Sequence, residues 1–304
     1  MPYSTPYAPT PAELSACIQC GLCLPHCPTF RLTGDEAASP RGRLAAMSAV
    51  AEGIVAMDDT FAEMMSFCLG CRACEAACPS LVPYGRALEG VRAELATHRT
   101  EGRVRRVALG RLLAMRPLVW LATLAAAVAQ RLRGDRWLPR RLRSGLSGLR
   151  VLPWRTRSTV GREYPSIGEE VGTAALLAGC VMGPWFGDVH LATISVLRRA
   201  GYRVVVPEGQ TCCGALAAHD GAAADAERLA RRNVAAFAGA DVVVANAAGC
   251  GAHLKDYAHW AVGGDDLASR TRDVTEVVAA AIEDGRLPRF SGGDPVAVQD
   301  PCHL

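Results

Sequence analysis

Two stretches of this chain carry the same cysteine arrangement, CIQCGLCLPHCP (17–28) and CLGCRACEAACP (68–79). Each reads C-x2-C-x2-C-x3-C-P, with Cys17, Cys20, Cys23, Cys27 and Pro28 in the first and Cys68, Cys71, Cys74, Cys78 and Pro79 in the second. Four thiols at this density force the backbone into tight turns and leave little else for it to build. The thiols need either oxidation or a metal. The N-terminus MPYSTPYAPTPAELSAC lacks a basic region followed by an apolar core, so no secretory signal is expected. A reducing cytoplasm disfavours a disulfide framework, and the odd total of 13 cysteines argues against one as well. A metal role is therefore expected.

The spacing is that of bacterial ferredoxins, in which three closely spaced thiolates cap one cubane and the fourth reaches the other cluster. It assigns Cys17, Cys20, Cys23 and Cys78 to a first [4Fe-4S] cluster. Cys68, Cys71, Cys74 and Cys27 fall to a second. Short x2 loops let backbone amides reach the sulfides, and the proline after the fourth cysteine ends the turn. Structural four-cysteine zinc sites also use C-x2-C pairs, but not at this 2-2-3 spacing twice over. Between the runs, SPRGRLAAMSAVAEG (39–53) and DDTFAEMMSFC predict helices. Arg41 and Arg43 stand at the start of the first, placed either beside a cluster or in solvent.

Composition then divides the chain. Residues 1–100 hold eight cysteines and are expected to form a helical two-cluster domain. Residues 101–168 hold none and read as an Arg-rich helical linker. Residues 169–304 alternate strand and helix. Strands are expected at TAALLAGC (173–180), YRVVVPEG, DVVVANAAGC (241–250) and PVAVQDPC (295–302), and helices at 189–201, 220–240 and 273–285. Strands joined by helices predict a parallel sheet. The expected fold class is α+β multidomain. The 304 residues, half of them hydrophobic, are enough for two ordinary domains.

A third group of cysteines falls in the last region: Cys180, the vicinal pair Cys212 and Cys213 followed by Gly214, and Cys250. On this reading Cys180 and Cys250 end strands and the pair follows one. All four then meet at the carboxyl edge of the sheet, where open α/β sheets bind ligands. They are a possible third metal site, or buried structural thiols.

The combination CIQCGLCLPHCP … GDEAASPRGRL … CLGCRACEAACP, then AGC … TCCGA … NAAGCGAHLKDYA … QDPCHL, resembles the iron–sulfur subunits of bacterial glycolate oxidase over nearly the whole chain. Lactate-utilisation proteins, the anaerobic glycerol-3-phosphate dehydrogenase small subunit and heterodisulfide reductase subunits share both modules. GDE…SPRGR and GCGAHLKDY favour the glycolate oxidase branch. The resemblance implies a cysteine-rich (CCG) domain over 169–304, with two [4Fe-4S] clusters and a possible further cluster in that domain. It implies flavin-containing partner subunits that oxidise glycolate to glyoxylate, and a quinone or other electron acceptor. The chain itself would be a non-flavin electron-transfer subunit without catalytic residues. It lacks the Gly-x-Gly-x-x-Gly fingerprint after a strand. The same role with lactate or glycerol 3-phosphate as the partner's substrate is an alternative, as is thiol–disulfide chemistry in the cysteine-rich domain. The family usually carries a second CCG half, which here begins at DPCHL, so the domain is expected to be incomplete. Where some relatives have a second cysteine after Cys250, this chain has His253, a competent iron ligand or an ordinary helix-start histidine. His26, His190, His219 and His303 are given no role.

The linker needs its own reading. The apolar run from Leu118 to Ala129 is too short to span a membrane, which takes roughly 20 residues. Flanked by Arg116 and Arg131, it reads as a buried or interfacial helix. Basic, leucine and tryptophan residues interleaved on both sides fit docking to an anionic lipid surface or an acidic partner, or a solvated connector. The expected location is cytoplasmic, with peripheral contact at the inner face of the cell membrane. No nucleic acid is expected.

Overall fold

Prolines and short polar caps start most helices of the first hundred residues in the computed structural model, which describes residues 3–132, 152 and 158–289. Thr10 and Glu13 close a reciprocal capping box on α1 (Pro11–Ser15). Cys27 caps α2 (Pro28–Thr33), whose proline occupies a position that needs no N–H. Ser39 caps α3 (Pro40–Ala51) by accepting from the Gly42 amide. A Cβ on Gly42 would lie 2.0 Å from the Glu36 carbonyl oxygen. SPRGR is thus a cap, a helix-starting proline and a glycine required by close approach, with one arginine on either side of it. Asp58 caps α4 (Asp59–Ser66). The short α5 (Ala73–Ala76) lies inside the second cysteine run. α6 (Tyr84–His98) and α7 (Arg103–Val107) follow.

Leu44, Met47 and Val50 of α3, Phe61 and Met65 of α4, and Leu88 and Val91 of α6 form one core. Each such side chain contributes roughly 1.5–3 kcal/mol on burial. Cys17, Cys23, Cys68 and Cys78 pack against that core, so both cysteine runs are seated on the same rigid base. Glu94 of α6 is fully buried and accepts from the Ser4 and Thr5 amides at 2.7 and 2.8 Å, which anchors the segment leading into the first run.

The later elements are α8 (Arg116–Arg131), β1 (Arg162–Tyr164), β2 (Gly172–Leu176), α9 (Met182–Trp185), α10 (Gly187–Arg199), β3 (Tyr202–Val206), α11 (Ala215–His219) and α12 (Ala223–Ala236). Then come β4 (Val242–Ala245), α13 (Ala248–Lys255), α14 (Gly264–Arg270), β5 (Thr271–Asp273) and α15 (Val274–Glu283). The sheet order is β1-β3-β2-β4-β5. β2, β3, β4 and β5 pair in parallel, with Ala174 opposite both Val204 and Val242. The expected parallel sheet is in fact mixed, because β1 runs antiparallel to β3 within what reads as linker. Its three residues, Arg-Glu-Tyr, carry no apolar alternation to announce a strand.

One further boundary moves. DVVVANAAGC forms a strand only as far as Ala245. The Asn246 side chain turns to His190 and Thr193, and the small residues after it begin α13, so Cys250 sits in a helix rather than at a strand end. The strand expected at 295–302 lies outside the described residues. By compactness the described residues divide into one unit up to Gly110 with Ala215–Ala226, and another of those from 111 to 214 and from 227 to 289.

Candidate metal centres

The two cysteine runs fold into the same turn. In the first, Gln19 and Gly21 take left-handed backbone conformations, with φ of 55° and 83°. In the second, Gly70 and Arg72 do so at the equivalent third and fifth positions, with φ of 67° and 58°. Each run places one glycine and one larger residue in this pair, in opposite order. Left-handed residues alternating with cysteines curl the chain so that successive amides face inward, a concavity that suits an anion. The residue after the first cysteine points outward to the same extent in both, Ile18 at 69 % and Leu69 at 70 % exposure.

Cys17, Cys20 and Cys23 line one pocket together with Cys78 from the other run. Ile18, Leu22, Leu44 and Val82 supply apolar walls, and Cys74 reaches the same pocket. Burial pushes the Cys23 thiol up, and the amide of Arg41 pulls the other way. Around the second run, Cys68 accepts from the Gly70 amide at 3.4 Å and from the Tyr84 hydroxyl at 3.5 Å. Burial pushes the Cys74 thiol up, helped by Glu75, Cys68 and Cys71. Cys27 is buried, 3.2 Å from Thr29 Oγ1 and 3.6 Å from the Ala38 carbonyl. Arg92 donates to the Cys68 carbonyl at 2.6 Å and the Met65 carbonyl at 2.9 Å. Among the described residues no three thiols, imidazoles or carboxylates close to coordinating distance. The donors here are all thiols, with inward amides and apolar walls, and that chemistry fits an iron–sulfur cubane.

The third group assembles at the carboxyl ends of β2 and β3. Cys180 and Cys212 are hydrogen-bonded to each other, and Cys213 donates to Cys250 Sγ at 3.3 Å. That contact and burial drive the Cys180 thiol far up. The bond with Cys180 draws the Cys212 thiol down, but Cys213 and burial outweigh it and push Cys212 up to about 12. Gly214 follows with φ of 96°, a turn that a side chain would strain. Asn233 of α12 donates to the Cys212 carbonyl at 3.0 Å, and the Tyr257 hydroxyl donates to the Cys213 carbonyl at 2.6 Å. Gln210 ties the same loop to β2 by accepting from the Ala178 amide at 2.7 Å.

Sequence reasoning gave His26, His190, His219 and His303 no role, yet His190 is buried between the Ala178 carbonyl and Asn246, and burial holds it below its ordinary value. His219 is ion-paired with Glu89 at 2.7 Å. His253 lies buried in the last turn of α13 rather than at a helix start, its ring 5.6 Å from that of Tyr257 and 5.7 Å from that of Trp260. Asn233, Arg92 and Glu94 also went unread, because a polar residue in an amphipathic helix reads as a solvated face until packing shows otherwise.

Two cysteine turns on one helical core, followed by a mixed sheet with four thiols at its edge, define a 4Fe-4S dicluster protein joined to a cysteine-rich domain. Residues 13–82 match the family described as "4Fe-4S dicluster domain" and residues 174–255 match "Cysteine-rich domain". The chain is 36% identical over 321 aligned residues to the probable glycolate oxidase iron–sulfur subunit of Bacillus subtilis, covering 96% of this chain and 71% of that protein. It is 30% identical to the glycolate oxidase iron–sulfur subunit of Escherichia coli at the same coverage. A lactate utilization protein A of Geobacillus kaustophilus is 32% identical over a shorter stretch, 36% of this chain and 48% of that protein. No solved structure matches. The chain belongs to the family of glycolate oxidase iron–sulfur subunits.

Proposed function

We propose that this chain carries electrons through two [4Fe-4S] clusters in a complex that oxidises glycolate to glyoxylate. Its partner is a flavin-bearing subunit that takes a hydride from the α-carbon of the substrate. Its acceptor is a quinone or another electron carrier. The observation that carries the reading is the paired cysteine turn, with the same left-handed residues in both runs and Cys78 of one run in the pocket of the other. Cys17, Cys20, Cys23 and Cys78 hold the first cluster, and Cys68, Cys71, Cys74 and Cys27 the second. When bound, each cluster supplies one-electron redox chemistry. The residues of the chain hold the sulfur ligands on a common core, turn amides towards them and exclude water with aliphatic walls. The partner sets which 2-hydroxy acid is oxidised, and lactate is the runner-up.

The four thiols of the cysteine-rich domain form two close pairs and suit either a further cluster or thiol–disulfide exchange. Iron and acid-labile sulfide counts on anaerobically purified protein test both readings, together with EPR of the reduced state. About eight irons with two interacting cubane signals support the wire with no further cluster. A count clearly above eight adds the third site. Zinc in place of iron overturns the electron-transfer reading.

We also infer a peripheral lipid contact. No single helix among the described residues is long and apolar enough to cross a membrane. α8 buries Val119, Thr123 and Ala127 and leaves Leu118, Leu121 and Leu124 at 38 %, 64 % and 44 % exposure, with no charge between Arg116 and Arg131. Residues 111–157 hold eleven arginines and one acid, Asp135. A 16-residue helix is about 24 Å long, short of the roughly 30 Å hydrocarbon thickness. It suits lying along an anionic interface. Co-sedimentation with phosphatidylglycerol vesicles but not phosphatidylcholine vesicles is expected, lost on Leu121→Glu. Equal pelleting with both, or with neither, overturns it.

A further inference from the structure

The two arginines of the SPRGR turn face different surroundings. Arg41 lines the pocket of the first run, is about a third exposed, and is ion-paired to Glu36 with Nε to Oε1 at 2.6 Å. Arg72, in the second run, is ion-paired to Glu75. Arg43 is fully buried. Its Nε donates to the Met64 carbonyl at 2.7 Å, and its Nη1 donates to the Ala38 carbonyl at 2.8 Å and to Thr29 Oγ1 at 3.3 Å. Its Nη2 reaches the same hydroxyl at 3.4 Å. All of these partners are neutral.

A guanidinium does not give up its proton in a protein. A buried charge without an opposite charge is strongly unfavourable, so buried charges are paired. Arg43 therefore needs a counter-charge, and its surroundings indicate where it lies. Thr29 Oγ1 and the Ala38 carbonyl, both bonded to Arg43, are the two atoms that contact Cys27 Sγ. Met64 precedes Cys68 on the chain leaving α4. Arg43 thus lies behind Cys27, and its bond to Met64 is on the segment that leads into Cys68. Both are ligands of the second cluster in the function proposed above, on which this inference rests.

We propose that Arg43 is the fixed counter-charge of the cluster held by Cys27, Cys68, Cys71 and Cys74. It makes that cluster the higher-potential one of the pair, so electrons pass from the first cluster to the second. Reduction adds one electron, and so one negative charge, to a cluster that is already anionic with its four thiolates. A positive charge fixed beside it in a medium of low dielectric favours that step. Among the described residues the arginine on the first turn is Arg41, which donates to the Gln19 carbonyl at 3.2 Å and is compensated by Glu36 in a more exposed setting. The turns themselves are matched in backbone, while the second is the more buried, with Cys74 buried where Cys23 is half-buried and Cys71 half-buried where Cys20 is exposed, a setting in which a fixed charge acts more strongly. Arg43 is a positioning and tuning residue, since it reaches Cys27 through Thr29 and the Ala38 carbonyl.

The test is an EPR-monitored redox titration of the full chain, purified anaerobically. Cys71→Ser and Cys20→Ser identify which cubane signal belongs to which run. The higher-potential signal of the unaltered protein is expected to vanish in Cys71→Ser and to survive in Cys20→Ser. Arg43→Gln should make reduction of that one cluster at least tenfold less favourable, about 59 mV for one electron, with the other cluster unmoved. Arg43→Lys should restore most of the shift, and Thr29→Val should give a smaller shift of the same cluster. The proposal is overturned if the higher-potential signal belongs to the first run. It also falls if, with eight irons present, Arg43→Gln moves both signals equally or neither. If Arg43→Gln does not retain its clusters, Thr29→Val and the assignment in the unaltered protein still decide. Absence of iron from the unaltered protein would overturn the function itself before any variant is made.

Discussion

The turn around Cys17–Cys27 and the turn around Cys68–Cys78 share a backbone and differ in what lies behind them. Both put left-handed residues at the third and fifth positions, and both expose an aliphatic side chain after the first cysteine. Behind the first run is a pocket walled by Leu22, Leu44 and Val82, with an arginine neutralised by Glu36. Behind the second are Arg43, without a carboxylate partner among the described residues, and Arg92, gripping the Cys68 carbonyl. The cysteine spacing builds the turn, and residues far from it in sequence set its surroundings. A duplicated motif can therefore yield two sites with separate properties at no cost in ligand geometry.

The most severe way to break the comparison is to remove one ligand from each run. Cys78→Ser is expected to abolish the cubane signal that Cys20→Ser abolishes, and Cys27→Ser the one that Cys71→Ser abolishes. Each should cut iron from about eight to about four per chain. If Cys78→Ser and Cys71→Ser fall together instead, each run holds its own cluster and the crossed pairing is wrong.

A smaller effect is expected at the left-handed glycines. Alanine at φ near +60° costs roughly 1–2 kcal/mol. At Gly21 its Cβ would also lie 2.9 Å from Arg41 Nη1, whereas at Gly70 nothing lies within 4 Å. Gly21→Ala should lower the thermal midpoint and cluster retention more than Gly70→Ala does. Gly70→Gln should be milder still than its size suggests, because Gln19 already holds the same conformation in the other run. Equal loss at both glycines would show that the surroundings of the two turns do not matter.

An effect of comparable size concerns how the first run is hung. Burial tends to raise the Glu94 carboxyl, but hydrogen bonds from Ser4 and Thr5 outweigh it and hold the group at about 2. A carboxylate with a lowered value stabilises the fold above its ordinary value of 4.5 and loses that contribution as pH falls towards 2. Glu94→Gln should cost about 1–3 kcal/mol at neutral pH. It should also flatten the acid dependence of unfolding between pH 4.5 and 2, followed by circular dichroism. An unchanged acid limb would mean that Glu94 does not anchor the N-terminal segment.

Legibility varied with the range of the physics involved. The cap of Ser39, the helix after Pro40 and the amphipathic α10 and α15 were readable because the signals lie within one or two turns. The meeting of Cys180, Cys212, Cys213 and Cys250 was readable because strand ends in a parallel sheet share an edge. β1 was not, since a three-residue antiparallel edge strand is set by its neighbour β3 rather than by its own pattern. Cys250 was misplaced by one element, because the side-chain bonds of Asn246 ended the strand early. Arg43 could be placed in the SPRGR motif but not in the core.

By itself the sequence determined the two matched cysteine turns and the order of modules, because thiol spacing, glycine and proline act over a few residues. It also determined the family, because two cysteine turns followed by a CCG motif leave few alternatives. Only the tertiary structure decided which thiols share a pocket, which arginine is buried without a carboxylate, and which face of α8 stays in the open. Those are properties of packing, in which the neighbour that fixes a charge or covers a surface comes from another part of the chain.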